Sequence, residues 1–127
     1  MKIVSWEDID RFVNNIVLID NEEHFTGVFG IARGGLIPAT IISYRLDIPL
    51  LQAPCKGCLI VDDISDTGKS LSHYLVNETN KNRYFIATLY YKEGSLVEPN
   101  YYLEEKSNEW VVFPWETIRE ENGEIRS

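Results

Sequence analysis

Cysteine is scarce in this chain of 127 residues: Cys55 and Cys58 are too few and too close together to staple a secreted mini-fold. A reducing cytoplasm is the expected location. Positive charge is also short, with 12 Lys and Arg against 20 Asp and Glu and a net charge of −8, which argues against a broad grip on nucleic acid or an anionic membrane face. A small phosphorylated ligand stays open, because backbone N–H groups and a bound cation can hold phosphate locally whatever the total charge. Long apolar runs are missing too: nothing approaches the ~18 residues of a spanning helix, and Glu7, Asp8 and Asp10 stand where a leader peptide needs a basic start. No fixed-period repeat, low-complexity segment or long linker interrupts the chain. With 44% apolar side chains over 127 residues, the expectation is one soluble, untargeted domain spanning 1–127.

What is present is periodic. Ser5 and Asp8 form a capping pair ahead of Ile9, Phe12, Val13, Ile16 and Val17, the spacing of one helical face. Val28 to Ile31 then reads as a short buried strand, Ala32 to Gly35 as a tight turn, and Ile37 to Leu46 as a helix with Pro38 tolerated in its first turn. The pattern repeats with Cys58 to Val61 as a strand, Asp62 to Gly68 as a loop, and a helix face at Leu71, Tyr74 and Leu75. Two strand–loop–helix units predict an α/β fold, a mostly parallel twisted sheet flanked by helices. Tyr84 to Tyr91 is a third strand, with shorter ones at Tyr101 to Leu103 and Trp110 to Phe113, and the acidic end from Glu116 to Ser127 reads as a frayed or solvated tail.

Chemistry concentrates in the loop after the second strand. Asp62, Asp63 and Asp66 crowd a strand's carboxyl end, where open parallel sheets bind ligands. Thr67-Gly68-Lys69-Ser70 offers hydroxyls, a bare Gly and backbone N–H groups at a helix start, which suits a phosphate dianion. Asp62 and Asp63 are adjacent acceptors for sugar hydroxyls, or for Mg²⁺ that holds a further phosphate. A phosphorylated ribose satisfies both halves; a plain Asp/Ser/Thr-rich helix-capping turn is the competing reading. An NTPase P-loop is excluded because Asp63 stands where its first Gly is required. Ala32-Arg33-Gly34-Gly35 places an Arg and two glycines at another helix start, a second anion site or a simple Gly-Gly turn.

The run Val61-Asp62-Asp63-Ile64-Ser65-Asp66-Thr67-Gly68-Lys69-Ser70 resembles the signature of type I phosphoribosyltransferases, and the likeness extends over residues 27 to 116. The resemblance implies that Asp62 and Asp63 contact the ribose hydroxyls of 5-phosphoribosyl-1-pyrophosphate and that Thr67, Gly68, Lys69 and Ser70 cradle its 5-phosphate. It implies Asp66 as general acid/base at the purine N7. Arg33, Gly34 and Gly35 resemble the pyrophosphate loop, in which a cis peptide often precedes the basic residue, here Ala32–Arg33. In the xanthine-guanine and hypoxanthine-guanine branch, a Lys after a strand meets the 6-oxo group, an aromatic stacks on the ring, and the next residue reads the 2-position through its backbone; Lys92, Trp110 and Val111 match. The implied reaction joins hypoxanthine, guanine or xanthine to the phosphoribosyl group with Mg²⁺ as cofactor, and the family allows a homodimer. A non-catalytic binder of phosphoribosyl pyrophosphate is the alternative of the same fold, and an RNA-binding regulator is disfavoured by the charge. The family's long closing loop has little room here, because Leu51 to Gly57 alone precede the strand at Cys58.

Cys55-Lys56-Gly57-Cys58 lies in that short connection. A redox pair needs a helix after its first Cys, and zinc needs two further ligands, which the isolated His24 and His73 do not supply. Chance spacing with a buried Cys58 is expected.

Overall fold

The computed structural model describes residues 1–66, 68–75, 84–105, 109–116, 119–121 and 124–126. Helix α1 spans Trp6–Glu23, and its start is the capping box that Ser5 and Asp8 announce: Asp8 N donates to Ser5 Oγ (3.1 Å) and Ser5 N to Asp8 Oδ2 (2.9 Å). Its buried face is Ile9, Phe12, Val13 and Ile16. After it come β2 (Val28–Gly30), α2 (Leu36–Leu46), β3 (Leu59–Ser65), α3 (Lys69–Leu75), β4 (Phe85–Tyr91) and β5 (Tyr101–Glu105). Strands β2, β3, β4 and β5 form one parallel sheet in sequence order, as two strand–loop–helix units require.

Alternate residues of each strand face opposite sides, and both sides are covered. Val28, Leu59, Val61, Ala87 and Leu89 pack with Ile9, Phe12, Ile16 and Ile42 of α1 and α2. Phe29, Ile60 and Ile86 pack on the other face with Cys58, Leu71 and Val97. Burial on both faces explains why the strand at Leu59-Ile60-Val61 is apolar throughout.

Three expectations change. Strand β3 does not end at Val61: Asp62, Ile64 and Ser65 pair in register with Thr88, Tyr90 and Tyr91 of β4, so the polar stretch expected as loop is ladder up to Ser65. A partner strand lends backbone bonds to residues that would not form a strand alone. A short β1 (Lys2–Ile3) was not expected; it pairs in parallel with β6 (Val111–Val112), outside the main sheet. The acidic end is not simply frayed: β7 (Arg119–Glu121) and β8 (Glu124–Arg126) pair antiparallel, since a ladder bonds backbone groups and tolerates polar side chains. Among the described residues, no helix is long and apolar enough to cross a membrane.

Candidate active site

The carboxyl ends of β2 and β3 open on a cleft of about 620 Å³. One wall is the loop after β2. Gly35 N donates to Ile31 O (2.8 Å) and Leu36 N to Arg33 O (3.1 Å), and this tight turn contains the cis Ala32–Arg33 peptide that the family resemblance anticipated. Arg33 is exposed on the cleft wall. Gly34 faces Asp63 so closely that a Cβ there would fall inside the carboxylate. At the next position a Cβ would run into the Val61 carbonyl oxygen, so the turn packs against β3 because Gly35 has no side chain.

Asp62 and Asp63 line the same cleft, next to that turn. Asp62 Oδ1 accepts from Asp63 N and Asp63 Oδ1 from Ile64 N, each at 2.8 Å, which fixes both carboxylates against the strand. Asp62 is 7% exposed. Burial, reinforced by the neighbouring charge of Asp63, pushes its carboxyl up to about 8, so without a counter-charge Asp62 keeps its proton at neutral pH.

A smaller cavity of about 130 Å³ adjoins the cleft, lined by Asp62, Ile64, Asp66, Gly68, Lys69, Ser70 and Leu71. Asp62, Ile64 and Ser70 line both spaces. Gly68 turns the chain with φ +81°, and a Cβ there would lie 2.7 Å from the Leu96 and Val97 nitrogens. Thr67, expected in the same cradle, lies outside the described residues.

The loop after β4 is fastened to the end of β3. Lys92 N donates to Ser65 O (2.9 Å), and Ser65 Oγ bonds Ser95 Oγ and Val97 O, both at 2.8 Å. This brings the Lys92 ammonium to 3.8 Å from Asp66 Oδ1, so two groups 26 positions apart in sequence share one corner of the site. Trp110 and Val111 are placed differently. Val111 is buried in β6, and Trp110, 60% exposed, accepts Lys2 N at its carbonyl (2.8 Å). Neither is among the residues lining the two cavities, whereas Trp115 and Glu116 line the larger one. Sequence reasoning missed these two. Trp110 and Trp115 stand five residues apart in Trp110-Val111-Val112-Phe113-Pro114-Trp115, and nothing local says which indole turns toward the cleft.

Among the described residues, no group of three or more His, Cys, Asp or Glu is arranged to hold a metal. The Asp62–Asp63 pair still fits Mg²⁺, which typically takes one or two carboxylates and completes its shell with water and ligand phosphate oxygens. The raised Asp62 carboxyl is the other half of that fit, because a cation would favour the charge that burial opposes. Both cysteines are free; Cys58 is buried and its thiol is pushed up to about 11, mainly by that burial, leaving little thiolate.

No family model matches the chain. Curated relatives do. The xanthine-guanine phosphoribosyltransferase of Cereibacter sphaeroides is 32% identical over 89% of this chain and 85% of its own, and that of Nitratidesulfovibrio vulgaris (strain Hildenborough) is 30% identical over 90% and 83%. Among solved structures, a purine phosphoribosyltransferase from Pyrococcus horikoshii superposes with a TM-score of 0.78 at 34% identity, covering 91% of this chain and 94% of that one. A xanthine-guanine-hypoxanthine phosphoribosyltransferase from Helicobacter pylori shares the fold at a TM-score of 0.71 and 20% identity, over 90% and 92%. The signature run along β3, the cleft at the sheet's carboxyl edge and these relatives agree: the chain belongs to the type I phosphoribosyltransferase family, in its purine branch.

Proposed function

We propose that this enzyme transfers the 5-phosphoribosyl group of 5-phosphoribosyl-1-pyrophosphate to a 6-oxopurine, hypoxanthine, guanine or xanthine, releasing the nucleoside monophosphate and pyrophosphate. The observation that carries the reading is one cleft lined by Arg33 and Gly34 of the turn together with the adjoining Asp62 and Asp63 carboxylates. An anion grip beside a hydroxyl grip suits a sugar with a pyrophosphate on C1.

In this reading Arg33 and the backbone N–H of Gly34 hold the pyrophosphate, while the Gly35 N–H implied for the same grip is committed to Ile31 O and closes the turn. Fixed donors of this kind stabilise the charge that grows there as the C1–O bond breaks, commonly by several kcal/mol. Asp62 and Asp63 orient the ribose, and Gly68, Lys69 and Ser70, with Thr67, hold the 5-phosphate in the adjoining cavity. Asp66 manages the purine N7 proton, while Lys92, paired with it, donates to the 6-oxo group. Trp110 and Val111, which the resemblance implies at the base, line neither cavity and take no part in this reading. Mg²⁺ held at Asp62 and Asp63 would supply charge neutralisation for the pyrophosphate.

The non-catalytic alternative is not favoured, since the relatives are named as transferases. A cytoplasmic location accords with two free thiols, and a homodimer is an expectation that light scattering tests. The decisive assay is conversion of radiolabelled hypoxanthine, guanine and xanthine to nucleotide with phosphoribosyl pyrophosphate and Mg²⁺. Product from at least one base is expected; saturable binding without product from any base overturns the proposal.

A further inference from the structure

The connection between α2 and β3 cannot cover the cleft, because it is tied to the wrong end of β2. Val28 N donates to Pro49 O (2.9 Å), Leu51 N to Val28 O (2.8 Å), Thr26 N to Gly57 O (3.1 Å) and Thr26 Oγ1 to Lys56 O (2.9 Å). The cleft opens at the other end of that strand, beyond Gly30. A cation-like sugar carbon formed there is open to water unless another part of the chain stands beside it. Among the described residues lining the cleft, only Trp115 and Glu116 come from outside the β2–α2 and β3–α3 segments.

Trp115 is held in place from several sides. Phe113 N donates to Glu116 Oε1 (2.9 Å) and Glu116 N to Phe113 O (3.0 Å), closing a turn around Pro114 and Trp115. The indole lies parallel to the Phe113 ring, 5.1 Å away with 5° between planes, and Trp6 leans against it at 6.1 Å. Phe113 is itself buried and meets Tyr90 edge-on at 6.0 Å. A ring stacked on the core in this way is a fixed wall rather than a flap.

We propose that Trp115 shields the reacting carbon from water and so sets how much phosphoribosyl pyrophosphate reaches the purine instead of being hydrolysed. The inference rests on the phosphoribosyl-transfer reading above. In the competing step a water oxygen bonds to C1, the C1–O bond to pyrophosphate breaks with its electron pair leaving on pyrophosphate, and the water's proton passes to solvent, giving ribose 5-phosphate. Trp115 moves no proton in either branch; it occupies the space from which water would attack.

The test counts ribose 5-phosphate against nucleotide from labelled phosphoribosyl pyrophosphate, with purine and Mg²⁺ present, for the full chain and for Trp115→Phe, Trp115→Leu and Trp115→Ala. The hydrolysed share should rise in that order as ring area is lost, severalfold by Ala, and this ratio does not move when a variant merely lowers the amount of folded enzyme. Should Trp115→Ala fail to fold, the Phe and Leu variants decide. Equal hydrolysed shares in variants that still make nucleotide overturn the shield alone, whereas no nucleotide from the unmodified protein overturns the transfer reading and the shield together.

Discussion

Asp62→Asn separates what a buried carboxylate does for the fold from what it does for the ligand. In the unfolded chain this carboxyl loses its proton near 3.8, but in the fold burial and the charge of Asp63 keep it protonated up to about 8. Between those values the folded state binds a proton that the unfolded state has released, so stability falls as pH rises through the window and the loss is complete above about 8. Four units at about 1.4 kcal/mol each give a ceiling of roughly 6 kcal/mol for the unliganded protein. The asparagine is neutral at every pH and keeps an oxygen to accept Asp63 N. Urea unfolding without metal should give similar midpoints for both proteins near pH 4 and a clearly higher midpoint for Asp62→Asn at pH 8. Mg²⁺ with phosphoribosyl pyrophosphate should then stabilise the parent far more than the variant, because the ionised pair is what the cation favours. Midpoints that run parallel for the two proteins from pH 4 to pH 8 would refute the reasoning.

Asp66→Asn preserves a hydrogen-bonding group beside Lys92 but cannot carry the purine proton; turnover should fall by about 10²–10⁴ with phosphoribosyl pyrophosphate affinity retained, as steady-state rates and calorimetry would show. Lys92→Ala should erode the preference for a 6-oxopurine over a 6-aminopurine, read as the ratio of kcat/KM for the two bases. Gly34→Ala drives a methyl into the Asp63 carboxylate, so binding of phosphoribosyl pyrophosphate should be lost while the thermal transition still shows a folded protein. Chelation of Mg²⁺ should abolish nucleotide formation reversibly, with activity restored on adding the ion back.

Much of the site could be read one residue after another. The capping pair Ser5 and Asp8, the apolar strand at Leu59-Ile60-Val61, and the Gly-rich turn at Arg33 are local features, because helix starts, buried strands and tight turns depend on neighbouring residues. The signature run also sets a carboxylate end and an amide end a few residues apart, the pattern from which a phosphorylated sugar is expected there.

Tertiary structure decided the rest, through contacts between segments distant in sequence. Asp62 became strand rather than loop because β4 lies alongside it, and that burial, not its sequence neighbours alone, raises its carboxyl. Lys92 reached Asp66 through bonds from the loop after β4 to the end of β3. Which tryptophan lines the cleft was settled by the pairing of β1 with β6, which holds Trp110 at Lys2, and by the stacking of Trp115 on Phe113. Local spacing can announce a helix start or a phosphate turn because both are closed within a few residues; a wall shared by remote segments exists only once the chain has packed.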